Sequence, residues 1–358
     1  MNKVRIAYVP SDKYSPNIGY DARNFILYAK YKKIQILKFE STENYDFLIL
    51  PPSLDISNIE WLKKRKEKII YQLVDDYFSE NNLTFKNYFR GLYKFAIGQN
   101  KKIIFNYKKQ LIKICKICNI IICSSEEQKT KIEKYNKNVY IFFEGNFKDI
   151  DKKKEKFNIN ESIKLVWEGR CENISTLKIF EPILKKLLQK YKIELHIISD
   201  YEIFNPHFKI LKKNTIKVIK NIFKKLFSTN TTFEKTTIFF HQWHISFSKK
   251  IIRSCDIAII PLNKNLNFEN GKSQNKLIMF MKNSIPIVTS KIPSYINIYK
   301  SVGINYYCDT TNEWVKKIEK LIRSENLRKS VANKAYKYVM NKYSKQKFIN
   351  QWDNVLKK

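Results

Sequence analysis

Glycine is scarce in this sequence, with seven among 358 residues. A chain so poor in the one residue that takes positive φ freely is no flexible linker, collagen-like repeat or low-complexity tract, and each glycine it keeps invites a local reason. Arginine is scarce too. Eight of the 68 cationic residues are Arg and the other 60 are Lys, against 33 Asp and Glu, for a formal net charge of +35. Charge of that size draws nucleic acid, anionic lipid or phosphorylated substrates. Recognition of phosphates or base edges favours Arg, whose planar fork bonds two oxygens at once, and Arg is the rare cation here. Abundant Ile and Asn accompany the Lys, as in an AT-rich coding sequence. Most of the charge therefore reads as compositional bias, and no nucleic-acid partner is expected.

The chain also offers little to a metal. It has four His and six Cys. Cys115-x-x-Cys118 is half of a zinc signature, but no second pair stands at a suitable spacing. Five of Cys115, Cys118, Cys123, Cys171, Cys255 and Cys308 lie in or beside apolar runs, where a reduced thiol behaves as a small hydrophobe. His241 and His244 in HQWH have no third ligand nearby in sequence, so no metal is expected. Long apolar runs are missing as well: Lys interrupts every stretch that approaches the roughly 18 to 20 residues of a spanning helix. The first residues, MNKVRIAYVP, form a strand-like run without the charged region, apolar core and cleavage site of a secretory signal. A cytoplasmic location is expected.

What is present is ample core material, 44% hydrophobic and 14% aromatic, in a length that suits two domains of ordinary size. Short runs rich in Val, Ile, Tyr and Phe alternate with segments of helical period, which is the pattern of βαβ units around parallel sheets. The first half offers six such runs, at 4–9, 34–39, 46–51, 68–74, 119–124 and 139–143. The second half repeats the count, at 163–169, 193–199, 236–243, 256–262, 285–290 and 304–308. Ser125 and Gln128 have the spacing of a capping box and predict a helix start. Between the two series, the charged and aperiodic segment 148–162 reads as a linker. Residues 205–235 carry a helix-like stretch and read as an insertion. The chain closes on two helices separated by NKYSKQ.

Open parallel sheets bind ligands beyond the carboxyl ends of their strands, where helix N-termini present unpaired N–H groups. Four such places carry suggestive residues: Tyr8 to Asn17, Asp75-Asp76, Gly169-Arg170, and Asn263 to Lys276. In the last, Gly271 lets a backbone approach a ligand and Ser273 lies at a helix start. Lys272 and Lys276 are placed to neutralise phosphate oxygens. Asp75 and Asp76 suit a carboxylate that contacts acceptor hydroxyls or acts as a base, although Asp at such a point also caps helices.

PLNKN, KSQNKLIMFM and IPIVTS, in that order, resemble the donor-domain signature of GT-B glycosyltransferases, particularly family 4-like enzymes. KLVWEGR resembles the first donor strand and its Gly-Arg turn, SCDIAIIPL the strand before the binding loop, and IICSSEEQKTKI the last unit of the acceptor domain. The resemblance runs over roughly residues 68 to 300. It implies an α/β protein of two Rossmann-like doubly wound domains facing a central cleft. Residues 1–157 would form the acceptor-side domain and 158–341 the nucleotide-sugar donor domain, with a closing helix at 342–358 packed back on the first. The implied activity is metal-independent hexosyl transfer with retention of anomeric configuration. The nucleotide-sugar is then a substrate, no cofactor is needed, and the acceptor is a glycan or lipid-linked sugar of surface polysaccharide or glycoconjugate synthesis.

In that family, the Arg after the first donor strand contacts the nucleotide diphosphate, and Gly169-Arg170 matches it directly. The partner Lys is absent from its usual place, so Lys272 or Lys276 takes the role. The paired Glu motif departs as well. Its second Glu, which grips the ribose, aligns with Met279, and its first falls near Gly271, with Glu269 the nearest carboxylate and Asn275 the substitute contact. Two other readings stay open: a catalytically silent GT-B protein that binds nucleotide-sugars, and a basic nucleic-acid-binding protein. Basic helical stretches at 61–68 and 99–116 add an expected partner, an anionic membrane surface on the inner face. In the second stretch, Ile103, Ile104, Phe105, Tyr107, Leu111, Ile112 and Ile114 either meet lipid or pack on the sheet.

Overall fold

The computed structural model describes residues 4–9, 23–52, 54–73, 76–79, 85–96, 98, 100–143, 152–203, 213–224, 226, 236–244, 247–263 and 271–357. The chain divides into two compact units, one comprising Met1–Phe147, Asn270–Gln274 and Tyr343–Lys358, the other Lys148–Glu269 and Asn275–Lys342.

In the first unit the order is β1 (Ile6–Tyr8), α1 (Arg23–Lys32), β2 (Ile36–Lys38), β3 (Phe47–Leu50), β4 (Lys68–Gln72), α2 (Phe85–Ala96), α3 (Tyr107–Ile117), β5 (Ile120–Cys123), α4 (Glu126–Ile132) and β6 (Val139–Ile141). The six strands form one parallel sheet in the order β2-β1-β3-β4-β5-β6. FLIL in β3 and IIIC in β5 are buried at every position, as continuous apolar runs must be when helices cover both faces of a parallel sheet. The capping box forms as the spacing predicts: Ser125 Oγ accepts from Gln128 N–H, and Gln128 Oε1 accepts from Ser124 N–H at 2.8 Å.

The basic stretches come out differently from expectation. Residues 61–68 hold one 3-10 turn, Glu60–Lys64, before Lys68 enters β4. In 99–116 the helix begins only at Tyr107, because Asn106 caps it by accepting from Lys109 N–H. Ile104, Leu111 and Ile114 pack into the core, so the apolar face of this stretch belongs to the sheet. Gly91 in α2 makes room for that insertion, since a Cβ there would lie 2.1 Å from the Ile104 carbonyl oxygen.

The second unit runs β7 (Ile163–Glu168), a 3-10 turn (Cys171–Thr176), α5 (Leu177–Leu188), β8 (Ile193–Ser199), the hairpin β9 (Glu202–Ile203) and β10 (Lys213–Asn214), α6 (Thr215–Phe223), β11 (Thr236–Gln242), α7 (Phe247–Ser254), β12 (Ile257–Ile260), α8 (Asn275–Lys282), β13 (Ile287–Ser290), α9 (Pro293–Val302), β14 (Tyr307–Cys308), α10 (Thr311–Arg323) and α11 (Glu325–Lys342). Its sheet order, β11-β8-β7-β12-β13-β14, is that of the doubly wound nucleotide-binding fold, with the strand order reversing between β7 and β12. All twelve strands of the two sheets fall inside runs that periodicity marks out, and the β9/β10 hairpin is an addition. Gly303 takes φ 73° after α9, ending that helix in the left-handed conformation glycine adopts without strain.

Ahead of β7, residues 152–160 have no regular structure, yet they are not a solvated linker. Lys154 and Phe157 are buried, and the Lys154 ammonium lies 3.9 Å from Asp256 with its Nζ donating to the Arg253 carbonyl at 3.3 Å. The last helix, α12 (Lys345–Leu356), packs on α1 of the first unit: Trp352 is fully enclosed and meets Phe25, Tyr28 and Phe142 at centroid distances of 5.2, 5.7 and 4.9 Å.

Candidate functional site

In the second unit the candidate residues gather at the carboxyl end of β7. Gly169 follows the strand directly. A Cβ built on it would lie 2.7 Å from the Trp167 ring and 2.8 Å from Lys276 Nζ, so no side chain fits. Lys276, in the first turn of α8, donates to the Glu168 carbonyl and holds its ammonium 5.0 Å from the centroid of the buried Trp167 ring. A cation so placed stands beside a helix N-terminus at the topological switch point, where anions are favoured. Arg170 reaches outward and pairs with Glu172 at 2.9 Å, both groups about half exposed. Asn275 begins α8. Met279 lies further along the same helix, its carbonyl accepting from Asn283 Nδ2 at 2.8 Å. Asp200, just beyond β8, was not singled out in the sequence; burial raises its carboxyl above the ordinary range against the pull of Arg170. Trp243 likewise donates to Glu168 Oε1 at 3.1 Å.

Gly271, Lys272 and Ser273 count with the first unit. Here the centre is Asp76, whose side chain is wholly enclosed. Its Oδ2 accepts from Ser79 Oγ at 2.5 Å and from Lys131 Nζ, which also reaches Ser79 Oγ, while Oδ1 has no hydrogen-bond partner among the described residues. The Gly271 backbone lies against this carboxylate, and Ser125 Oγ donates to the Gly271 carbonyl at 3.1 Å. Lys131 and Ser79 escaped the sequence reading, and Ser125 was legible there as a helix cap but not as a partner of Gly271. Lys131 and Asp76 are 55 positions apart, and nothing local links them. Asp75, Glu269 and the segment 10–17 lie outside the described residues.

The histidines do not form the HQWH ligand pair. His241 Nε2 lies 2.9 Å from His196 Nδ1 on the neighbouring strand, with the rings parallel, and His244 Nδ1 accepts from Phe247 N–H. Among the described residues no three His, Cys, Asp or Glu groups are arranged to hold a metal ion. All six cysteines are buried, and burial pushes the Cys115 thiol up to about 12. A cavity of about 690 Å³ opens at the opposite, amino end of the second sheet. Along its wall Lys154 pairs with Asp256 and Lys164 with Glu194 at 4.0 Å.

The histidine pair makes stability depend on pH. Burial lowers the pKa of both rings, and a positive His241 would further oppose charge on His196, although Glu194 pulls His196 the other way. In the unfolded chain both titrate near 6.5, so below that value the unfolded state binds more protons. Stability is therefore complete above about pH 6.5 and falls as pH drops through the lower folded values. Thermal melts at pH 7.5 and 5.5 should show this loss, and His241→Gln should flatten it; an equal pH response in the variant would place the titration elsewhere.

No family profile matches the sequence, and no curated protein sequence does. Solved structures do match. HepE of Anabaena, determined in complex with UDP and glucose, superposes with a TM-score of 0.62 at 12% identity over 99% of both chains. WaaG, a glycosyltransferase involved in lipopolysaccharide biosynthesis, gives 0.61 at 9% identity, over 98% of this chain and 99% of WaaG. TarM of S. aureus gives 0.60 at 13% identity over 87% of this chain and 55% of its own, so this chain spans about half the length of TarM. Two parallel six-stranded sheets with flanking helices, matched end to end by HepE and WaaG, give this chain the GT-B fold of paired Rossmann-like units.

Proposed function

We propose that the protein is a glycosyltransferase that moves a hexose from a nucleotide-sugar to a glycan or lipid-linked acceptor in surface polysaccharide or glycoconjugate synthesis. The reaction retains anomeric configuration and needs neither metal nor cofactor. One observation carries the reading: Lys276 and Gly169, far apart in sequence, meet at the end of β7, where a doubly wound sheet receives phosphates. HepE, matched along its whole length, was solved with UDP. Arg170, Lys272 and Lys276 offset charge developing on the departing diphosphate, a preorganised electrostatic role. Gly169 lets backbone approach it, Ser273 stands just ahead of α8, and Glu269 or Asn275 contacts the ribose. Asp75 or Asp76 serves the acceptor side. Calorimetric titration with UDP and with UDP-, GDP- and dTDP-hexoses is the direct test, and saturable binding of one nucleotide is expected. No heat with any of them would overturn the reading. Met279, standing where related enzymes grip the ribose, favours one alternative, a silent binder, and binding without turnover is its signature.

We also infer an anionic membrane surface as the place of work, with the protein peripheral on the cytoplasmic face. Phe95 and Phe105 are 44% and 59% exposed. Exposed Lys101, Lys102, Lys109, Lys113 and Lys116 accompany them on the same segment and α3. No described helix is long and apolar enough to cross a membrane. Each Lys near an anionic leaflet contributes about 1 kcal/mol. The protein should co-sediment with phosphatidylglycerol vesicles at low salt and come off as ionic strength passes roughly 0.15 M, where the screening length falls to about 8 Å. Phe105→Ala should weaken retention; indifference to both salt and Phe105 would remove this surface.

A further inference from the structure

We infer that Asp76 is the seat of the Gly271 segment, with Lys131 and Ser79 as its positioning residues, and is not the group that touches an acceptor. The inference rests on the transferase reading only for what the seat serves, the placement of Lys272.

The argument begins with access. A base or an acceptor ligand must come within hydrogen-bond reach of the hydroxyl it handles. The Asp76 side chain has no exposed surface, and its Oδ2 is already committed to Ser79 and Lys131. What closes it off includes Gly271. A Cβ there would stand 1.9 Å from Asp76 Oδ2 and 2.5 Å from its Cβ and Cγ, contacts no side chain survives. Glycine therefore stands at 271 because the backbone rests on a carboxylate.

A second contact holds the same point. Ser125, wholly buried, donates to the Gly271 carbonyl while its oxygen caps α4 by accepting from Gln128 N–H. Lys131 sits in the last turn of that helix, so α4 grips the segment twice: directly through Ser125, and through Lys131 acting on Asp76. Lys131 also sets its ammonium directly against the enclosed carboxylate. Because the residue after Gly271 is Lys272, moving the seat moves that ammonium. Asp76 thus acts on the binding of the nucleotide-sugar through the placement of Lys272.

Two measurements on the full chain decide this. UDP-glucose titration should show Asp76→Asn and Gly271→Ala each binding at least about tenfold more weakly, a difference well outside titration error. Hydrogen exchange at the amides of 271–274 should quicken by about 10- to 100-fold in the same variants, as a local contact is lost. Lys131→Ala should show both losses, and Lys131→Arg should keep affinity and protection near the wild type. Asp76→Asn that loses turnover while keeping UDP-glucose affinity and amide protection would make Asp76 an acceptor-side base and overturn the proposal. Should the wild-type chain bind no UDP-glucose, the transferase reading fails by itself. The exchange rates then still judge the seat: unchanged protection in Asp76→Asn and Gly271→Ala overturns it.

Discussion

Arg328→Ala is expected to destabilise the second unit by about 3 to 5 kcal/mol, because three buried carbonyls lose their donor. Arg328 is 3% exposed, and among the described residues its guanidinium donates to backbone carbonyls. Nε donates to Phe157 O at 2.9 Å and Nη2 meets the same oxygen. Nη1 donates to Leu321 O at 2.6 Å and Ile322 O at 2.9 Å. The last two belong to the final turn of α10, where helix carbonyls have no partner within the helix. One side chain thus caps a helix and pins the irregular strap that carries Phe157. Burial lowers the guanidinium pKa, and Asp256 counters it, so the group stays charged. Deletion strands three carbonyls in a closed space, each worth about 1 to 3 kcal/mol when left unpaired. Arg328→Lys should recover only part, because one ammonium cannot span two directions. Urea unfolding followed by far-UV circular dichroism reads the change as a lower midpoint at similar slope. A midpoint unmoved by Arg328→Ala would mean that water reaches those carbonyls and that the strap holds without the clamp.

The same strap shows where sequence reasoning stops. Apolar runs of period-free Val, Ile and Phe marked both sheets, because a strand covered on both faces leaves that signature in any context. The capping box at Ser125 and the break before α12 are local chemistry and were equally legible. Lys154 and Phe157, by contrast, sit in a segment whose charge pattern reads as solvated, and their partners Asp256 and Arg328 lie 102 and 171 positions away in the chain. The stretch 99–116 was ambiguous for a different reason: lipid and protein core are alike to an apolar face, and the sheet took Ile104, Leu111 and Ile114 while leaving Phe105 outside. At the site, Gly169 and Arg170 were visible through their place after β7. Gly271 was visible as a glycine that had to matter, but its reason, the Asp76 side chain, comes from the other end of the chain.

Lys276→Ala is expected to weaken nucleotide-sugar binding by about 1 to 3 kcal/mol, roughly 5- to 150-fold. A surface lysine would lose less, because its four-carbon stem must be ordered when the ligand arrives. Lys276 is ordered beforehand. The Trp167 ring lies under its ammonium, the Glu168 carbonyl accepts from it, and Gly169 leaves the space a side chain would fill. The ordering cost of the side chain is then already met, and the full charge-assisted bond appears in affinity. The α8 dipole adds to the field in the same direction. Lys276→Met separates packing from charge, since it keeps an apolar stem over Trp167 and removes the ammonium; it should bind as poorly as Lys276→Ala while melting nearer the wild type. Lys276→Arg should not rescue, because the guanidinium is wider than the gap between the Trp167 ring and the Gly169 backbone. Calorimetric titration of UDP against the three variants, with a melting curve for each, provides the comparison. If Lys276→Met melts lower but binds UDP as the wild type does, the ammonium is a brace for the end of β7, and Arg170 with Lys272 must carry the phosphates.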